Sequence, residues 1–355
     1  VLGIAAAVLF RVPALLVMAA PFACVAVWSA ATRPNTDPTL DGHIAPSSIR
    51  EGEATAWTGT LSEIAAVDHV VAFAPQRVWM ETRPASGVVS ADVGRAATVR
   101  LTIPMRATHW GRHDVGPMNV VAVSSWGAFR WSALDVGHRV TALPLPAVFD
   151  AAPSPLRADG LVGLNRSTHP GDGTEFSGIR PFQTGDRLRR INWRRSLRAN
   201  ELHVTATYAD QDSHVALFLD ALADYGETGG VDGVASSLDT TVRAAGAIAE
   251  HFLLRGDRVS LRTMGSRFQV NVPPASGSGH LRRILDVLAA IEPDPYRLGA
   301  ARYGNSTVPG GSLVIMLSPL ITPLSLQRAI SIASHGLNVA VVDTLPDDVF
   351  ADEDP

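Results

Sequence analysis

The chain has 355 residues, of which 46% are hydrophobic and 18% charged, and its formal net charge is −4 at pH 7. That length gives room for two or three domains, each with a core of its own, and the mild acidity argues against a basic nucleic-acid-binding domain. Every basic residue is Arg, which excludes lysine-dependent phosphate loops and Schiff-base chemistry, and the single cysteine, Cys24, excludes an internal disulfide or a thiolate metal cage.

Residues 1–33 read as membrane segments. No charge interrupts Val12 to Ala31, and about 20 apolar residues are what a helix needs to cross the hydrocarbon layer. Val1 to Phe10 is a second apolar stretch, too short to span alone. It is expected to be a truncated first span, with Arg11, Val12 and Pro13 as an external turn and Arg33 just inside. Such a hairpin puts the globular part in the cytoplasm, attached to the cell membrane. The rival reading is a signal peptide with "WSAAT" as its cleavage site.

A proline-rich connector leads into residues 34–150. Short alternating runs such as "VRLTIPM" and "MNVVAVSSW", separated by Gly, Pro, Ser and Asp, predict an all-β sandwich. His109 and His113 are four apart but have Gly111 between them and no metal-binding pattern around them.

Residues 151–210 are loop-rich and unusually basic. "GDGTEF" lacks the third glycine of a dinucleotide fingerprint, and the strand and helix that should flank one are missing. Seven arginines follow within Gly178–Val204: Arg180, Arg187, Arg189, Arg190, Arg194, Arg195 and Arg198. They fall on more than one face of either a helix or a strand, so some must point inward. Arg180 and Arg189 are expected to pair with nearby carboxylates, Asp186, Glu175 or Glu201, while Trp193 and Phe182 pack against their stems. Arg187, Arg190, Arg194 and Arg195 are then the candidates for a partner-binding surface. A purely structural knot and a phosphate site are the other readings.

Residues 211–345 alternate strands with helices. "HVALFLD" ends in a carboxylate, Asp220, as a buried parallel strand would. "RGDRVSLRTM", "SLVIML" and "NVAVVD" supply further strands. Leu238, Val242, Ala245, Ala249 and Phe252 mark one helix face, Leu281, Ile284, Leu285, Leu288 and Ile291 another, and a third helix runs from about Pro323 to His335. This pattern implies a doubly wound α/β sheet, whose ligands bind at the carboxyl ends of the strands, where Asp220 stands. Residues 346–355 form an acidic tail.

The run from Phe176 to Val204 resembles the signature of the domain of unknown function 58 family. The matching positions are Phe176, Gly178, Arg180, Pro181, Gly185, Asp186, Arg189, Ile191, Asn192, Trp193, Ser196 and Arg198, with Phe182 where Tyr is usual and Leu197 where Ala is usual. The resemblance implies an α+β multidomain chain: an N-terminal transmembrane helical hairpin, an all-β sandwich, then a doubly wound von Willebrand factor A-like domain. It also implies a membrane-anchored, non-enzymatic scaffold that partners a MoxR-type AAA+ ATPase. Related domains hold Mg²⁺ through Asp-x-Ser-x-Ser. Here Asp220 fits, but Leu222 and Asp224 replace the serines and Ser318 stands where a later carboxylate would help, leaving Asp220 and Asp224 as a degenerate pair. No catalytic grouping, nucleic-acid site or small-molecule substrate is legible. The alternatives are an exported, metal-dependent adhesion-type receptor and an enzyme or binding module for phosphorylated ligands at the arginine cluster.

Overall fold

The computed structural model describes residues 13–31, 36–64, 67–94, 96–124, 129–146, 170–208, 214–265, 270–293, 308–309 and 312–346. Among the described residues one helix, α1 (Pro13–Ala31), precedes the first strand. The transmembrane hairpin expected of residues 1–33 is therefore corrected: among the described residues no helix is long and apolar enough to cross a membrane. Pro21 lies inside the helix and removes one of its backbone bonds. Residues 1–12, where the first span was expected, lie outside the described residues.

The chain divides into two compact units. The first comprises residues 1–145 together with the inserted stretches Glu227–Ala235 and Leu285–Ala290. Its strands are β1 (Thr39–Ala45), β2 (Ser48–Arg50), β3 (Ala54–Ser62), β4 (His69–Phe73), β5 (Met80–Thr82), β6 (Val88–Asp92), β7 (Thr98–Ala107), β8 (Gly111–Val115), β9 (Asn119–Val123), β10 (Arg130–Leu134) and β11 (His138–Leu143). They form sheets of order β1-β3-β7-β5, β10-β9-β4-β6 and β2-β11-β8. All pairings are antiparallel except β2 with β11. Along β3 and β7 every second residue is buried, the period that drives one face of a half-solvated strand into a core. Trp57, Leu61, Leu101, Ile103 and Met105 from these strands join Val70, Ala72, Val120 and Val140 in that core.

The Trp57 indole is fully buried, and its Nε1 donates to Asp135 Oδ2 at 2.7 Å, an oxygen that His138 Nε2 also approaches at 2.7 Å. The ring lies where a side chain at Gly59 would be, since a Cβ there would overlap the indole. The inserted Glu227–Ala235 stretch is clamped by the forked Arg106 guanidinium, which donates to both Asp232 oxygens at 2.6 and 3.0 Å and to the Gly52 carbonyl at 3.0 Å. Val231 N–H donates to the Thr108 carbonyl at 2.7 Å.

The second unit begins with a two-stranded ribbon, β12 (Pro170–Pro181) with β13 (His203–Tyr208), and between its strands lies α2 (Trp193–Ala199). It continues with β14 (His214–Asp220), α3 (Ser237–Leu254), β15 (Arg258–Met264), β16 (Asn271–Ala275), α4 (Ser278–Leu288, of which Leu285–Leu288 are counted with the first unit), β17 (Leu313–Ser318), α5 (Pro323–Ser334) and β18 (Asn338–Asp343). The sheet order is β16-β15-β14-β17-β18, parallel throughout except for the β16 edge. Strand β14 is central and almost wholly buried, so its sequence is continuously apolar, as a strand covered on both faces requires. A capping box between Ser236 and Asp239 starts α3, and Thr322, followed by Pro323, starts α5. Ala216, Phe218, Met264, Val314 and Met316 pack on one face of the sheet against Ala329 and Ile332 of α5.

At the start of β14, His214 ties three strand beginnings together. Its Nδ1 lies 2.7 Å from Ser312 Oγ and its Nε2 2.9 Å from Ser260 Oγ. Ser312 Oγ already donates to the Pro309 carbonyl at 2.7 Å. It therefore accepts from Nδ1–H, and Nε2 is left to accept from Ser260, an arrangement that suits a neutral imidazole. Burial, then the charges of Arg258 and Arg262, holds the His214 pKa below its ordinary value, and burial does the same for His113 in the first unit. A folded pKa below the unfolded ~6.5 means the unfolded chain binds more protons between the two values. These histidines therefore contribute stability above about pH 6.5 that is lost as pH falls toward their folded values. Denaturant titrations at pH 7.5 and 5.5 are expected to show lower stability at 5.5, with a smaller pH-dependent loss in His214→Gln. An equal loss in the variant would clear His214 of any part in it.

Candidate functional site

The arginine segment is built around one ion pair. Arg180 donates from both terminal nitrogens to Asp186, at 2.7 and 2.6 Å, and Gln183 N–H adds a bond of 2.8 Å to the same carboxylate. Those bonds, with Arg180 contributing most and Gln183 next, hold the Asp186 carboxyl below the usual range, and Asp186 in turn raises Arg180. Gly185, at φ +109°, makes the turn that brings Asp186 back under Arg180.

After the turn, Asn192 caps α2 by accepting from Arg195 N–H at 3.1 Å, and Asn200 ends it in the left-handed conformation. Ser196, buried on the inner side of α2, donates to the Asn192 carbonyl at 2.9 Å and accepts from His203 N–H at 2.9 Å. Asn192 N–H also reaches the His203 carbonyl, and Phe182 N–H the Leu202 carbonyl. The signature residues Pro181, Gly185, Asp186, Asn192 and Ser196 thus fix a backbone path, with the side chains between them left to face outward.

What faces outward is large. Trp193 is 62% exposed, Leu188 70% and Leu197 82%, and Phe176 and Ile179 are exposed as well. Arg187, Arg189, Arg194, Arg195 and Arg198 are exposed beside them, while Arg190 is half-buried. The internal pairing expected of Arg180 is present, but Arg189 faces solvent. Trp193, expected to pack on an arginine stem, leaves most of its surface to solvent: α2 has only seven residues and sits on a two-stranded ribbon, too small an assembly to bury an indole. Of the four partner-surface candidates, Arg194 and Arg195 stand with Trp193 at the start of α2, and Arg187 flanks the turn.

The strand-end carboxylate lies elsewhere in the second unit and is enclosed. Asp220 is 4% exposed; its Oδ2 accepts from Ser318 Oγ at 2.6 Å and from Ser325 Oγ, and its Oδ1 accepts from Leu222 N–H at 3.1 Å. Asp224 turns to other donors, taking Leu238 N–H at 3.0 Å and Ser237 Oγ at 3.3 Å at the start of α3. Asp220 and Asp224 therefore spend their oxygens on separate sets of protein donors. Among the described residues no group of three or more His, Cys, Asp or Glu side chains gathers in a way that could hold a metal. Leu222 offers no oxygen, so the Asp-x-Ser-x-Ser donor set of a hard cation is not reproduced. Sequence reasoning did not find Ser325 or the brace made by Ser196. The only signal for Ser325 is the "TPLS" helix start, where Thr322 Oγ1 lies 2.6 Å from Ser325 Oγ.

No curated protein matches the chain. Among solved structures, the complex of zinc 2-glycoprotein and prolactin inducible protein from human seminal plasma is 9% identical, covering 31% of this chain and 99% of that one at a TM-score of 0.21. Macromomycin is also 9% identical, covering 29% and 99% at a TM-score of 0.17. The human F-spondin reeler domain is 12% identical, covering 31% and 90% at 0.18. Scores this low do not indicate a shared overall fold. In sequence, residues 178–348, which hold the arginine segment from Gly178 onward and the five-stranded sheet, match the family model described as "Protein of unknown function DUF58".

Proposed function

We propose that the chain is a non-enzymatic protein-interaction scaffold that docks a MoxR-type AAA+ ATPase through the arginine segment and the adjoining α/β domain. The observation that carries this reading is the exposure of Trp193, Leu188 and Leu197 beside the exposed Arg194 and Arg195. Trp and Arg are the side chains most enriched where binding energy concentrates in protein interfaces, and an aromatic anchor ringed by guanidinium groups is a composition that suits another polypeptide. A bare phosphate site would have no use for the apolar anchors. The parallel sheet with Asp220 at the carboxyl end of its central strand supports a von Willebrand factor A-like domain. In this reading the hydroxyls around Asp220 serve structure, and the contact is made by the arginine surface without a bridging cation.

Affinity capture from cells expressing both proteins tests the proposal. The wild-type chain is expected to retain the ATPase, and Arg194→Glu with Arg195→Glu, or Trp193→Ala alone, to reduce retention on the order of tenfold or more. Unchanged retention in both variants would refute the role of this surface. The partner's nucleotide is cytoplasmic, so the folded part must face the cytoplasm, and protease treatment of intact cells should leave it uncut. Cleavage from outside would favour the exported-receptor alternative.

A further inference from the structure

The five-stranded sheet ends in two edges that are built differently. At one, β16 carries Pro273 and Pro274, pairs with β15 through a register shift between Val259 and Leu261, and lends its Pro274 carbonyl to the Arg258 guanidinium at 3.2 Å. Prolines and bulges keep an edge strand from pairing with another chain. The other edge is not defended in this way. Strand β18 reads "NVAVVD", runs in unbroken register along β17, pairs with no other strand among the described residues, and holds no charge from Asn338 to Val342.

The apolar ground continues onto α5. Its buried side is Ser325, Ala329 and Ile332, and at about 100° per residue Arg328 and Leu326 fall on opposite flanks of that side. Arg328 lies over the Phe218 ring of β14, 5.9 Å from its centroid, so the opposite flank, with Leu326 and Ile330, is the one on the β18 side of the sheet. Leu326 and Ile330 are exposed there. So is Val341, on the same strand face as Val339, which packs against the core beneath α5.

We propose that β18 pairs antiparallel with β18 of a second copy of this chain, about a two-fold axis between the two Ala340 residues. Charge selects both the occupant and the direction. In that register Val339 stands opposite Val341 of the partner subunit and Asn338 opposite Val342 of the partner subunit, while the Asp343 carboxylates lie at the two far ends. A parallel pairing in register would set the two carboxylates side by side, which is destabilising. The two-fold axis keeps both α5 helices on one face of a continuous sheet, with their Leu326–Ile330 flanks turned toward each other. One strand edge and one helix flank make a modest interface, so reversible association on the order of micromolar is expected.

Sedimentation of the full chain, in a mild detergent that covers the exposed apolar residues of α1, tests this. The mass is expected to rise from 37.6 kDa toward twice that value with concentration. Val341→Lys puts a charge on the paired edge, and Leu326→Glu with Ile330→Glu leaves the strand untouched; each should weaken association about tenfold or more. In a Cys24→Ser background, Ala340→Cys should cross-link two chains under mild oxidation, because opposed residues of an antiparallel pair have Cα atoms about 4.5–5.5 Å apart, within disulfide reach. Leu254→Cys, exposed at the end of α3, is the control and should cross-link far more slowly. A chain that stays monomeric up to its solubility limit, association that both sets of substitutions leave unchanged, or Ala340→Cys closing no faster than the control would each overturn the proposal. None of these residues belongs to the arginine segment, so ATPase capture stands or falls on its own test.

Discussion

Replacing Trp57 by Ala is expected to destabilise the sandwich unit by about 3–5 kcal/mol, seen as a lower denaturant midpoint with an unchanged slope. The indole is fully buried at the centre of the β3 face, in the space that Gly59 leaves open by having no side chain. Its loss removes the largest fully buried aromatic side chain of the unit and leaves Asp135, whose side chain is only 7% exposed, without one of its donors. Trp57→Phe retains most of the ring and forfeits the hydrogen bond, so about 1–3 kcal/mol is the expected cost. A Trp57→Ala midpoint within about 1 kcal/mol of wild type would mean that the ring is not the keystone of this core.

The second large effect is expected at Asp220. Asp220→Ala strips the shared acceptor from Ser318, Ser325 and the Leu222 N–H, all at a site closed to water. Each buried donor left unsatisfied costs about 1–3 kcal/mol, so a loss of at least about 3 kcal/mol in the α/β unit is expected. Asp220→Asn, nearly the same shape with one oxygen retained, should fall between the variant and wild type. Millimolar MgCl₂ should leave the wild-type melting temperature unchanged, because the protein's own hydroxyls occupy the carboxylate. A magnesium-dependent rise that disappears in Asp220→Ala would instead establish a cation at that position.

Much of the secondary structure was legible because it follows from period and burial. The continuous apolar run at His214–Asp220 marks a strand buried on both faces, and the alternation in "VRLTIPM" marks one buried on a single face. Helix α3 was visible in the spacing of Leu238, Val242, Ala245 and Ala249, all buried. The contacts that close the sites were not legible, because they join distant positions: Asp220 meets Ser318 98 residues on and Ser325 105 on, and Trp57 meets Asp135 across 78. Local pattern also misjudged two places where size decides. The apolar N-terminal stretch suggested a hairpin of membrane spans, and the described part is one helix containing a proline. Trp193 was expected to pack against an arginine stem, and it stands 62% exposed on a seven-residue helix.

The Ser196 hydroxyl has a consequence for how the arginine surface behaves. It bonds to the backbone at Asn192 on one side and at His203 on the other, so α2 cannot unwind without also releasing the first residue of β13. Helix and ribbon then come apart together or not at all. A ligand gripping the Trp193 face therefore meets a helix tied both to its own cap residue and to the first residue of β13.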